Sequence, residues 1–227
     1  MTKFYIPSKG PESWKAFLAE PDKQWKQGYS ARSLAYCWEE AQGFPKSVEQ
    51  VFRSSPYKLF HSVEFLLGIP EHKVPLPGGR TESQNDIFVL AKSGNKLISI
   101  AVEGKVKEPF GPMVSEKKKD ISPGAQERLD YLCDLLGITG KEIDSTRYQL
   151  LHRTASALIE AERFRAKYAL MLVYSFSQEH QWFEDYADFA SLFGQKAQPD
   201  SLAYVGKRNN IDLYLGWITG ESEYLER

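Results

Sequence analysis

The chain has 227 residues, 42% of them apolar and 26% charged, which fits a generously sized globular protein and excludes a disordered or low-complexity one. A net charge of −1 gives no global attraction to nucleic acid or to an anionic membrane, so any such contact must come from a local patch. The longest apolar run, Tyr168 to Tyr174, is too short to span a bilayer, and the opening MTKFYIPSKG has no apolar signal core. Cys37 and Cys133 each sit in an apolar helical stretch without a metal-like partner nearby. Free buried thiols in a soluble, cytoplasmic protein are therefore expected.

The first 55 residues read as helical. GPESWKAFLAE places Trp14, Phe17 and Leu18 at helical spacing, SARSLAYCWEEAQ repeats the pattern through Leu34, Cys37 and Trp38, and Pro45 opens a short helix through Val48, Val51 and Phe52. A further helix is predicted from Pro56 to about Leu67, stopped by Gly68 and Pro70, followed by a short strand and loop over EHKVPLPGGRTESQ. DIFVLAKSGNKLISIAVEGKV, Asp86 to Val106, reads as a β-hairpin turning at Ser93-Gly94-Asn95. Residues 107–123 are polar and broken by Pro and Gly, and carry Lys117 to Lys119. They read as a solvated surface loop, with a lesser expectation of touching a nucleic-acid backbone. Helices are predicted over 124–136 and 144–166, a strand buried on both faces over 167–177, a helix in FEDYADFASLFG and a last strand in IDLYLGWIT. This order predicts an α/β (α+β) fold, a mixed β-sheet flanked by helices.

The chemistry concentrates on the hairpin. Side chains alternate along a strand, so Ile98, Ile100 and Val102 share one face and Leu97, Ser99, Ala101, Glu103 and Lys105 the other. Small Ser99 and Ala101 predict an open face beside the charged pair. A turn centred at 94–95 places Asp86 across from Glu103, and two facing carboxylates repel unless something compensates. A divalent cation does so, since Mg²⁺ takes oxygen ligands from one or two carboxylates plus water and substrate phosphates. A lysine alongside could orient water or stabilise developing negative charge. The competing reading of Glu103 and Lys105 is a solvated ion pair at a strand end.

Asp86 followed by Glu103-Gly104-Lys105 on the adjoining strand resembles the PD-(D/E)XK nuclease superfamily, the restriction-endonuclease-like fold. Asn85 stands where that pattern has proline. The resemblance implies an αβββαβ core over roughly residues 56–180. It also implies a cation, Mg²⁺ or Mn²⁺, held by Asp86, Glu103 and the Gly104 carbonyl, with Lys105 positioning the attacking water. Many members add a glutamate from the helix before the sheet. Phe60, Val63, Glu64 and Leu67 lie at i, i+3, i+4, i+7, which makes Glu64 that candidate, or else a residue at the stripe's edge that reaches water. Many also carry a polar or basic residue on the following helix. Gln149, His152 and Arg153 share a helix face and are the substrate-binding candidates, the bland alternative being a polar helix face.

The sequence thus predicts an N-terminal helical extension over 1–55 and a restriction-endonuclease-like domain over 56–227. The expected activity is metal-dependent hydrolysis of phosphodiester bonds in DNA, less so RNA, with Glu64, Asp86, Glu103 and Lys105 as catalytic residues. The alternative is a catalytically silent scaffold whose aromatic N-terminal helices dock a protein partner or a second copy. His61, His72 and His180 lack zinc-ligand spacing, PLPGGRTES lacks the lysine of a P-loop, and no Ser/His/Asp set has an elbow-like context.

Overall fold

The computed structural model describes residues 8–227, so the first seven positions of the expected extension lie outside the described residues. A 3₁₀ stretch over Pro11–Phe17 and a single turn, α1 (Pro21–Gln24), lead into two amphipathic helices, α2 (Ser30–Ala41) and α3 (Lys46–Ser54). Trp14 donates its indole N–H to Glu39 Oε1 at 2.8 Å, which fastens the 3₁₀ stretch to α2.

The helix predicted from Pro56 to Leu67 is not there. One 3₁₀ turn (Lys58–Phe60) gives way at Val63 to β1 (Val63–Val74). The cause lies in β1 itself, whose pairing register slips between Phe65 and Leu67. A bulge interrupts the two-residue alternation of a strand, so the helical spacing of Phe60, Val63, Glu64 and Leu67 arises across a 3₁₀ turn and an irregular strand start. Pro70 is tolerated because β1 is an edge strand.

The hairpin forms as β2 (Ser83–Ser93) and β3 (Lys96–Lys105), with Ser93 paired to Lys96 and Gly94 supplying the positive φ of 60° that the tight turn needs. A short helix α4 (Val114–Lys118) lies within the polar loop. Then α5 (Pro123–Leu136) and α6 (Tyr148–Arg163) make the crossover to β4 (Tyr168–Ser175), which pairs parallel with β3. After α7 (Phe183–Ser191) come β5 (Ser201–Arg208) and β6 (Ile211–Thr219). β5 joins β6 through Asn209-Asn210, both with positive φ, the backbone of a hairpin turn. Strand β5 is absent from the sequence prediction because a bulge near Gly206 breaks its alternation.

The result is an α/β protein with one six-stranded mixed sheet in the order β1-β2-β3-β4-β6-β5. The alternation read from the hairpin divides the core. Ile87, Val89, Ile98, Ile100 and Val102 face Trp14, Leu34, Trp38 and Phe52 of the N-terminal helices. On the opposite face Ala101, Met171, Val173 and Trp217 pack against Leu132, Leu151, Leu158 and Phe189 of α5, α6 and α7. Each fully buried aliphatic or phenylalanine side chain contributes roughly 1.5–3 kcal/mol relative to exposure. No helix among the described residues is long and apolar enough to cross a membrane.

Candidate active site

Strand β3 stays tied to β4 through Glu103, Gly104 and Lys105, but its ladder with β2 ends at Ile87 and Val102. Beyond that pair the two strands part, and Asp86 and Glu103 flank the opening. Lys105 C=O accepts from Phe176 N–H on the β4 side, so Gly104, one residue earlier, turns its peptide edge toward β2. Its N–H donates to Asp86 Oδ2 at 2.7 Å. In extended backbone a residue's C=O points to the same edge as its N–H, so the Gly104 carbonyl also faces the opening. A Cβ at Gly104 would lie 3.3 Å from Asp86 Oδ2 and from Leu34 Cδ2, so α2 and Asp86 both approach the strand closely.

Glu103 is 2% and Lys105 4% exposed, which rules out the solvated ion pair. Lys105 Nζ donates to Glu103 Oε1 at 2.5 Å, and Gln149 Nε2 donates to the same oxygen at 2.7 Å. Arg153 Nε takes Oε2 at 2.5 Å. Ser99 and Ala101 leave room on this face as expected, but helix α6 occupies it: Ser99 Oγ donates to the Ala157 carbonyl at 2.8 Å. That close approach carries Gln149 and Arg153 onto Glu103. His152 lies in the same turn but points elsewhere, with Nδ1 at 2.8 Å from Ser83 Oγ.

Glu64 is not part of this cluster. It sits exposed at the start of β1, opposite Lys92, with which it forms an ion pair at 3.1 Å. Seven strand residues, roughly 23 Å at the usual rise, separate it from the open end of the sheet. Another acid takes that place. Glu71 lies between the pairs Pro70–Ile87 and His72–Asn85, directly opposite Asp86, with a left-handed φ of 50° that interrupts the ladder. Its Oε2 accepts from Gln84 Nε2 at 2.7 Å. Glu71, Asp86, Glu103, Lys105, Gln149 and Arg153 line one pocket of about 360 Å³, closed on its far side by residues 18–31. Glu108 holds that cover down by accepting from Ser30 N–H and Oγ at 2.8 and 3.0 Å.

Glu71, Asp86, Glu103 and Glu108 line this pocket together with Lys23, Lys105 and Arg153, and the electrostatics of the first three follow from burial and from one another. Burial, with the Glu103 charge added to it, pushes the Asp86 carboxyl up to about 7. Burial and the Asp86 charge likewise push Glu71 well above the usual carboxylate range. Burial would also raise Glu103, but Arg153 and Lys105 beside it hold it below its ordinary value. The surroundings therefore favour the charged form of Glu103 and oppose those of Asp86 and Glu71, a penalty that added positive charge would relieve.

Clustered hard oxygen donors whose charged forms repel one another match a divalent cation in kind. Among the described residues, no group of three His, Cys, Asp or Glu side chains is placed to hold a metal ion, because Asp86 is turned onto Gly104 N–H and Glu103 onto its cationic partners.

A sequence model of one family, described as Domain of unknown function (DUF6946), matches residues 7–222. The chain belongs to that family. The match runs from the 3₁₀ stretch past β6, so the DUF6946 unit includes the N-terminal helices and the pocket they cover. No curated protein and no solved structure matches the chain.

Proposed function

We propose that this DUF6946 chain is a divalent-cation-dependent phosphodiesterase acting on nucleic acid, DNA before RNA, with a PD-(D/E)XK arrangement of its site. The observation that carries the reading is the convergence of Asp86, Glu103, Gly104 and Lys105 at the parted ends of β2 and β3, in a pocket completed by Glu71, Gln149 and Arg153. The order β1-β2-β3, crossover helix, β4 parallel to β3 agrees with the core that the sequence resemblance implies.

Asp86, Glu103 and the Gly104 carbonyl would hold Mg²⁺ or Mn²⁺, with Glu71 beside them; the ion, when bound, supplies positive charge that polarises a phosphoryl oxygen and acidifies water. Gln149 and Arg153 fix the Glu103 carboxylate in place. Lys105 Nζ, packed 5.0 Å from the Phe110 ring centroid, keeps a point charge beside the reacting centre. Glu71, once it has given up its own proton in the loaded site, can take up at Oε1 or Oε2 the proton that the attacking water gives up. The two free cysteines fit a reducing cytoplasm.

A second reading has its own observation: residues 18–31 lie over the pocket and Glu103 is fully engaged by protein partners, as a silent scaffold would have it. Cleavage separates the two. Labelled single- and double-stranded DNA and RNA, incubated with Mg²⁺ or Mn²⁺, should be cut by the wild type. Asp86→Asn, Glu103→Gln and Lys105→Met should each lower the rate by about 100-fold or more. A wild type that cuts none of them leaves the scaffold reading.

A further inference from the structure

A second and larger cavity, about 690 Å³, adjoins the acid cluster and shares Gln84, Gln149 and Arg153 with it. Its other walls come from the 76–84 loop, the 109–122 segment and α5. Its charge is opposite to that of the acid pocket. Lys117, Arg128 and Arg153 line it, against Glu82 as the one acid among its lining residues. Arg128 donates Nε to the Pro77 carbonyl at 2.9 Å and its guanidinium interacts with the Tyr148 hydroxyl, while its buried Nη2 makes no hydrogen bond of good geometry among the described residues. An unsatisfied buried guanidinium nitrogen costs free energy that an anion would recover.

His152 fits the same picture. Arg153 Nη1, which can only donate, lies 3.2 Å from His152 Nδ1, so Nδ1 accepts and the neutral ring carries its proton on Nε2. Burial, with the neighbouring Arg153, Arg128 and Lys117 charges, holds the ring well below its ordinary pKa. Gly78 makes the wall possible: with φ at 72°, it lies so close to the start of α5 that a Cβ would fall 1.9 Å from the Gly124 carbonyl oxygen.

We infer that this cavity binds the phosphodiester next to the scissile one, in an unpaired strand, through Arg128, Lys117 and the donor face of His152. The inference rests on the phosphodiesterase reading of the acid pocket. The size of the cavity selects the substrate form. A space of this volume suits a nucleotide-sized ligand, whereas the stacked and paired nucleotides of a duplex could enter only by unpairing. The enzyme would therefore act on single-stranded segments, ends or flaps.

Binding measured apart from cleavage tests this. A fluorescein-labelled oligothymidylate of about ten nucleotides is titrated with full-length protein without divalent cation, and anisotropy is followed against salt. Lys117→Gln and Arg128→Gln should each weaken binding about 10-fold and flatten the salt dependence by roughly one contact, with a duplex of equal length bound more weakly and unchanged by either variant. Lys117 is exposed, so its variant keeps the fold even if loss of the Arg128–Pro77 bond loosens the loop. Wild-type affinity in both variants, a parallel loss for the duplex, or no wild-type binding would overturn the inference. An inactive protein that still loses oligonucleotide binding in both variants would sink the cleavage reading and leave the anion site standing.

Discussion

Asp86 combines a hydrogen bond from Gly104 N–H with a neighbouring carboxylate that it cannot escape. Its carboxyl titrates near 7 in the folded chain against 3.8 ordinarily. Between those values the native state binds more protons than the unfolded state, so stability falls as pH rises through that window. Asp86→Asn keeps an acceptor for Gly104 N–H and removes the charge. In chelator, its melting temperature should exceed the wild type's at pH 8 by at least roughly 2–4 °C, and the two should converge toward pH 4. Equal melting temperatures at pH 8 would mean that Asp86 carries no electrostatic burden. Asp86, Glu103 and Lys105 are legible because a hairpin turn fixes their relation locally. Glu71 is not, since only the register of β1 against β2 sets it opposite Asp86. Glu64 shares a helical spacing with Phe60, Val63 and Leu67 that crosses a 3₁₀ turn and a bulged strand, and its partner Lys92 becomes visible only once the pairing is known.

At the scale of elements, the contact between β3 and α6 sets the site. Ser99 is fully buried between them and donates to the Ala157 carbonyl, and three strand and helix positions meet on Glu103 only because that contact is close. Ser99→Leu should cost about 1–3 kcal/mol from overpacking and separate Gln149 and Arg153 from Glu103, whereas Ser99→Ala should cost about 1 kcal/mol for the lost hydrogen bond. Urea unfolding of both variants checks the pair, and similar costs would show that α6 has slack. The alternation of β3 and the continuous apolar run of β4 make the sheet's centre readable in the sequence. Its edges are not, because β1 and β5 are each broken by a bulge. The Asn209-Asn210 pair, both with positive φ, is the local signal that marks the end of β5.

Across the whole molecule, charge is segregated although its sum is near zero. An acidic pocket and a basic cavity share Arg153 as their wall, which a net charge of −1 hides. The N-terminal helices place Trp14, Leu34 and Trp38 in the core on one face of the sheet, and residues 18–31 lie over the acid pocket. The proposed function turns on cation binding, which can be measured without any substrate. Calorimetric titration of Mn²⁺ into the wild type, Asp86→Asn and Glu103→Gln at neutral pH is the most direct measurement. The account predicts saturable binding with proton release from Asp86 and Glu71 in the wild type and at least about 10-fold weaker binding in both variants; no binding to the wild type, or the same binding in all three, would contradict it.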